Sequence, residues 1–227
     1  MQRDRPLALV AGAGAGLGQS LVERFEAGGM TAVGLGRTRP DKTAGLFHQI
    51  DLADPEQVSP LLADLIAAHG APEIVVHNTA ELVIAPFAET SLAEYQRTWT
   101  SMVQTLVILG QTVLPAMVQS GGGALIVSGA TASLRGGATF SAFASAKFAL
   151  RGLTQSLARE FQPQGIHVAH VILDGIIETA RSKTLHSLDP AKMMTPADIA
   201  ETYWQLAHQP SSTWTQELDL RPPSEGF

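Results

Sequence analysis

The 227-residue sequence contains no cysteine, which excludes a disulfide framework, a thiolate metal site and a cysteine nucleophile. Charge is scarce: Asp, Glu, Lys and Arg make up 16% of the chain, with a net charge of −6. That acidic balance argues against a nucleic-acid partner, which would favour a basic stripe. Long hydrophobic runs are missing too. No apolar run reaches the roughly 20 residues of a membrane helix, so no membrane partner is expected. Arg3 and Arg5 precede the apolar stretch Leu7–Ala13, superficially like a secretory signal. The stretch is short, however, dissolves into glycines, and leads into a helical pattern with Glu23, Arg24 and Glu26. We read it as a buried strand feeding a turn and expect a cytoplasmic protein. What is plentiful is apolar residue, 45% of the chain, enough for a large core and too much for disorder.

Short apolar runs alternate with longer amphipathic ones, the pattern of a parallel sheet with helices on both faces. Strands are expected at Leu7–Ala11, Thr31–Leu35, Leu46–Ile50, Glu73–Val76, Ala124–Val127, Val168–Leu173 and Trp214–Leu220. Helices are expected at Leu17–Ala27, from Pro55 to His69 behind the cap Asp54, and over Ser91–Gln119, which Pro115 must kink or interrupt. Two more follow at Ser141–Phe161 and Pro196–His208, the first behind a small-residue loop, Gly129–Thr139. No linker, repeat or low-complexity block divides the chain, so residues 1–227 read as one domain.

Between the first strand and the first helix lies Gly12-Ala13-Gly14-Ala15-Gly16-Leu17-Gly18. Glycines allow a turn too tight for side chains and bring main-chain N–H groups up to a pyrophosphate, which also meets the positive end of the helix. The strand–turn–helix setting points to a dinucleotide, and the absence of a following Gly-Lys-Ser/Thr argues against a P-loop. After the second strand come Gly36, Arg37 and Arg39 where an acidic residue would favour NAD. A guanidinium suits a 2′-phosphate, so NADP is expected with NAD as the alternative; the competing reading is two solvated loop charges. Asp51 could accept from the adenine amino group or simply form a turn before Asp54. Asn78, just past the fourth strand, sits at the edge where cofactors bind in open α/β sheets, or is a plain turn residue.

These motifs together resemble the short-chain dehydrogenase/reductase family over essentially the whole length. The carrying features are Gly12-xxx-Gly16-x-Gly18, Asp51-Leu52, His77-Asn78-Thr79-Ala80, Phe143-xxx-Lys147 and Asp174-Gly175-Ile176-Ile177-Glu178-Thr179. The resemblance implies a single Rossmann-type, doubly wound parallel sheet of about seven strands with helices on both faces. It also implies a nicotinamide cofactor, a small-molecule substrate, and a homodimer or homotetramer built on the two long helices. By that resemblance Gly12, Gly14, Ala15, Gly16, Leu17, Gly18, Arg37, Asp51, Leu52, Asn78, Thr79, Ala80, Lys147, Gly175, Ile177 and Thr179 are the cofactor-binding candidates.

The departures fall on the catalytic positions. The family's acid/base Tyr, four residues before the Lys, is here Phe143; its Ser, about thirteen residues further upstream, is Ala130; its water-anchoring Asn falls on Met102. Lys147 alone survives. Phenyl for phenol deletes the titratable hydroxyl, a loss worth about 10²–10⁴ in rate where the group is positioned. His77, Thr79, Ala80 and Asp174 also depart from the family pattern, in a way that resembles a divergent subgroup carrying Phe for the Tyr. Asp174, His77, Ser128, Thr131 or an ordered water could stand in as proton donor, giving an oxidoreductase that moves a hydride to or from a carbonyl or alcohol. The alternative is a cofactor-binding pseudoenzyme, a redox sensor or an oligomeric partner.

Other constellations weigh less. His167 and His170, three apart on one strand, face opposite ways; His48, His69, His186 and His208 fall in separate elements, so no metal site is expected. Ser141, Ser145 and Lys147 lack the partner that would orient a Ser–Lys nucleophile. Trp204, Trp214 and Phe227 read as core or subunit contacts.

Overall fold

The computed structural model describes residues 5–41, 44–185 and 187–225; His186 and Phe227, weighed above, lie outside the described residues. The first strand, β1 (Leu7–Ala11), is apolar at every position and buried at every position. Such a strand must be covered on both faces, since alternation would leave one face wet. Six more strands join it: β2 (Thr31–Gly36), β3 (Leu46–Gln49), β4 (Ile74–His77), β5 (Gly123–Ser128), β6 (Ile166–Leu173) and β7 (Glu217–Leu220). All pairings are parallel, in the order β3-β2-β1-β4-β5-β6-β7. The sheet is doubly wound, as the sequence leads one to expect. Strand order reverses between β1 and β4, and that switch point opens a crevice at the carboxyl ends of the strands.

Helices cover both faces. On one side lie α1 (Leu17–Ala27) and α7 (Pro196–Ala207); on the other lie α2 (Pro55–His69), α4 (Thr105–Gln119) and α5 (Ser141–Phe161). Two smaller helices, α3 (Leu92–Trp99) and α6 (Ala180–Leu185), flank the carboxyl edge. Local chemistry sets the starts: Asp54 accepts from the Glu56 N–H at 3.0 Å with Pro55 at the first helical position, and Ser91 with Glu94 forms a capping box. The contact between α1 and α7 is tied by side chains. Trp204 packs 6.3 Å from the Phe25 ring, Arg24 lies 4.2 Å above the indole, and Arg24 pairs with Glu201 at 2.5 Å.

Most strand ends and the end of the last helix shift by one or two residues, and three differences go further. The sequence places the break of the long helix at Pro115, but α4 runs through it and the irregular turn is a π-helix at Thr100–Gln104. Pro115 and Gln111, the residue whose carbonyl loses its usual partner to the proline, both lie on the exposed face of α4, where solvent is in reach of that carbonyl. At the π turn the Ser101 carbonyl instead accepts from the Thr79 and Thr105 hydroxyls, at 2.6 and 2.8 Å. The combined stretch Leu92–Gln119 is long and apolar enough to cross a membrane by composition. Half of its most apolar window is packed inside, with Met102, Leu106, Leu109 and Leu114 in the core. The last strand starts at Glu217 rather than Trp214, whose indole N–H donates to the Gln209 carbonyl and whose ring stacks on His167. The segment after β6 carries α6, which the sequence pattern did not announce.

Strand register lines up the crevice floor. One row across the sheet reads Leu35, Ala11, His77, Val127, His170 and Glu217. Val127 and Ala11 of this row join the core under α4 and α5, so by alternation Ser128, one residue on, turns to the α1/α7 face.

Candidate active site

The glycine turn is built by close approach. Gly12 has φ +90°, and a Cβ there would stand 2.6 Å from the Asn78 carbonyl oxygen. The Asn78 side chain donates to the Gly12 carbonyl at 3.2 Å, and its own N–H donates to the Ala11 carbonyl at 2.8 Å. Asn78 therefore locks the turn to the end of β4. Gly16, at φ +113°, precedes α1; a Cβ there would lie 2.7 Å from the Thr179 methyl. Gly14 faces open space, while Ala15 and Leu17 complete the bend into the first turn of α1, where the Gln19 and Ser20 N–H groups donate to the Gly14 and Gly16 carbonyls at 3.0 and 3.1 Å and those of Leu17 and Gly18 have no intrahelical acceptor. Gly18 lies against the Gly12 carbonyl. A nucleotide diphosphate fits this cradle: side-chain-free backbone, a helix N-terminus and Thr179 across from Gly16.

The adenosine end is less furnished. Arg37 follows β2, is 71% exposed, and has Glu81 as its nearest carboxylate at 3.8 Å, which Arg97 also approaches at 3.2 Å. Arg39 is exposed. Asp51 accepts from the Ala53 N–H at 3.1 Å, a turn of its own making, and Leu52 is buried beneath it.

Beside Thr179 a cavity of about 720 Å³ opens at the carboxyl edge. Asn78, Thr79, Ala80, Lys147, Gly175 and Ile177 line it on the side expected for the cofactor. Leu82, Ile84, Phe140, Phe143, Ala130 and Ile176 make the rest of it apolar, with Arg135, Arg181 and Glu225 also on its wall. The structure brings Lys147, Phe143 and Ala130 to one cavity. Lys147, 2% exposed, donates to the Ser128 carbonyl at 2.8 Å and sits 5.8 Å from the Phe143 ring centre. Burial pushes its ammonium down to about 8.

Of the four side chains offered as stand-in proton donors, two do not reach the cavity. His77 is fully buried in β4, facing the π turn, where its Nε2 lies 2.8 Å from the Thr105 hydroxyl and 3.0 Å from that of Thr79. Both hydroxyls also reach the Ser101 carbonyl, and the Nδ1 of His77 is buried and unpartnered. Burial first, and the Lys147 ammonium second, push His77 down to about 3. Asp174 is 2% exposed, holding the Thr131 hydroxyl on one oxygen and Arg221 at 3.1 Å on the other. Ser128 does line the cavity, but its hydroxyl meets that of Tyr203 at 2.9 Å. Thr131 lines it with its proton given to Asp174.

Met102, at the family's Asn position, is fully buried in the core. The Ser141–Ser145–Lys147 arrangement dissolves: Ser145 is exposed and bonds the Ala142 carbonyl, while Ser141 accepts from Tyr95 at 2.7 Å. His170 meets the Ser133 hydroxyl at 3.1 Å and His167 the Thr215 carbonyl at 2.9 Å. Sequence reasoning missed Arg221, Arg135 and Arg181. Arg221 could have been found, because it directly follows β7 as Asp174 directly follows the neighbouring β6.

Comparison with known proteins agrees with this geometry. Residues 6–189 match the model of the short chain dehydrogenase family. A short-chain dehydrogenase structure from Rhodopseudomonas palustris superposes with a TM-score of 0.82 at 34% identity, over 97% of this chain and 99% of that one. The closed form of a serine dehydrogenase complexed with NADP+ gives a TM-score of 0.87 at 22% identity, over 97% and 96% of the two chains. An uncharacterized oxidoreductase of Staphylococcus aureus (strain MRSA252) is 24% identical over 230 residues, 95% of this chain and 96% of that protein. Turn, sheet order, cavity and matched residues lead to one assignment: the chain belongs to the short chain dehydrogenase family.

Proposed function

We propose that the protein is an NADP-dependent oxidoreductase that moves a hydride to or from a small carbonyl or alcohol substrate without the usual Ser and Tyr. The carrying observation is continuity. A glycine turn fit for a diphosphate meets, through Asn78 and Thr179, a cavity of about 720 Å³ holding a buried lysine. Gly12, Gly14, Ala15, Gly16, Leu17 and Gly18 would hold the diphosphate, Arg37 the 2′-phosphate, and Asp51 with Leu52 the adenine. Asn78, Thr79, Ala80 and Lys147 would hold the nicotinamide ribose, and Gly175, Ile177 and Thr179 the carboxamide and phosphate. The nicotinamide, when bound, supplies or takes up the hydride. The chain's own residues supply what makes that transfer selective: an apolar wall that excludes water, and a fixed floor that holds substrate within reach. The serine dehydrogenase that shares the fold is complexed with NADP+, which supports the choice of nucleotide.

Isothermal calorimetry with NADPH and NADH tests the reading. Heat on adding NADPH, with weaker binding of NADH, is the expected result; no heat with either defeats it. A second reading, nucleotide binding without chemistry, is favoured by the apolar Phe143 and Ala130 on the cavity wall. Reduction of any carbonyl compound at a useful rate rules it out.

A further inference from the structure

A carbonyl that receives a hydride must also receive a proton, and no phenol carries one here. Five hydroxyls line the cavity: those of Thr79, Ser128, Thr131, Thr179 and Ser182. Four are already spent inside the protein. Thr79 donates to the Ser101 carbonyl, Thr131 to Asp174, Thr179 to the Ser182 hydroxyl and Ser182 to the Ile177 carbonyl. The fifth, on Ser128, turns to Tyr203 on the opposite face of the sheet from α5. The first four oxygens offer lone pairs to a ligand and withhold protons from it, while Ser128 and Tyr203 share a bond in which either hydroxyl can donate. His77 is walled off, its Nε2 enclosed by the Thr79 and Thr105 hydroxyls. Asp174 is clamped between Thr131 and Arg221.

We propose that Lys147 is itself the general acid and base of this site, exchanging an Nζ proton directly with the substrate oxygen. This deepens the hydride-transfer reading above and rests on it. Nζ has three N–H bonds and spends one on the Ser128 carbonyl. No carboxylate pairs with it among the described residues, and the Phe143 ring gives it an apolar neighbour where the family has a phenol. The groups around it do not compensate its charge. His77 from β4 and His170 from β6 are both held neutral by burial, at about 3 and about 4. On its own helix Arg151 is bound by Glu217 of β7 through two contacts of 2.6 and 2.8 Å. Arg135, Arg181 and Glu225 are exposed parts of the cavity wall. A buried ammonium without a counter-ion gives up its proton more readily than one in water, which suits it to exchange near neutral pH.

The step is balanced by one proton. In reduction the Nζ–H bond breaks as an O–H bond forms on the substrate oxygen, while the electron pair arrives with the hydride of a nicotinamide co-reactant. The neutral amine then regains its proton from solvent. Oxidation of an alcohol runs the same exchange in reverse.

The chain has four lysines, Lys42, Lys147, Lys183 and Lys192, so ¹³Cε-lysine NMR can follow each. In the protein without nucleotide, one resonance should titrate near pH 8 and vanish in Lys147→Arg. With NADPH and the apolar probe 1-phenylpropane-1,2-dione, reductive kcat/KM of the unmutated protein should fall as pH rises through that value. Lys147→Arg keeps a charge and donors but cannot release a proton; measured at NADPH concentrations that saturate the variant, it should lose about 10²-fold in rate. A titration of every lysine above pH 10 overturns the proposal even if the variant fails to fold. So does full activity in Lys147→Arg, or NADPH binding without reduction of the dione at any pH. Failure of NADPH to bind is a distinct result, which defeats the underlying reading and this proposal with it.

Discussion

Replacing Lys147 by methionine should make the protein more stable at neutral pH and less stable in mild alkali. Moving the ammonium from 10.5 to about 8 corresponds to a penalty of about 3 kcal/mol on its charged form. Met has a similar reach and carries no charge, so the variant removes that penalty. It also removes the ammonium's hydrogen bond to the Ser128 carbonyl, worth about 2 kcal/mol because the donor is charged. The net gain at pH 7 is therefore about 1 kcal/mol. Below pH 8 both the folded and the unfolded chain hold the lysine proton, so the penalty is constant there. Between about 8 and 10.5 only the unfolded chain holds it, and the stability of the unmutated protein rises by up to about 1.4 kcal/mol per pH unit from this group. The advantage of Lys147→Met should thus shrink above pH 8 and reverse between about pH 8.5 and 9. Urea titrations of both proteins at pH 7, 8, 9 and 10 measure the difference, in which other titrations common to both cancel. A gap that does not change with pH, or a variant less stable at pH 7, would refute the reasoning, because it would mean that the ammonium is solvated or paired in the folded state.

Burial pushes His77 and His170 down to about 3 and about 4, so between about pH 6.5 and 4 the unfolded chain binds protons that the folded chain refuses. Stability should fall on acidification through that window by up to about 1.4 kcal/mol per unit for each histidine, and His77→Asn should flatten the acid limb of the unfolding curve. Gly12→Ala forces a side chain into φ +90° and to within 2.6 Å of the Asn78 carbonyl; a cost of about 2–3 kcal/mol in urea unfolding is expected, together with weakened nucleotide binding. Arg37→Ala should raise the NADPH Kd by tenfold or more and leave that of NADH within about twofold, as read by calorimetry. Phe143→Tyr combined with Ala130→Ser should raise reductive kcat/KM with an activated dione by about 10-fold or more; an inert double variant shows that the pocket no longer admits a carbonyl there.

Much of the scaffold was legible because its signals are local. Strand β1 is apolar throughout, α2 opens on Asp54-Pro55, and the glycine turn sits between a strand and a helix, so each element could be placed without knowledge of the others. Order of motifs then located Lys147, Phe143 and Ala130, which the fold brings to one cavity. What escaped depends on pairings across the sheet. The π turn at Thr100–Gln104 exists where the Ser101 carbonyl accepts from the Thr79 and Thr105 hydroxyls, and no periodicity encodes that. Pro115 looked like the break only because its exposure could not be seen. The stand-in donors were named from their positions near strand ends, yet His77 and Asp174 are sealed by partners from other elements, including Arg221 from the far edge. Residue type gave Thr131 a proton to donate; only geometry showed it already committed.

The clasp between α1 and α7 ties the earliest part of the chain to one of the latest. Trp204 and Glu201 hold Phe25 and Arg24, on the helix whose first turn forms one side of the nucleotide cradle. During synthesis, the opening strand–turn–helix unit therefore waits with an uncovered apolar flank until roughly residue 207 has left the ribosome. The amino-terminal half can pair its strands early, but it cannot acquire a finished nucleotide grip on its own. Shortening the chain before α7 should consequently cripple the nucleotide grip although its named residues, from Gly12 to Thr179, would all still be present.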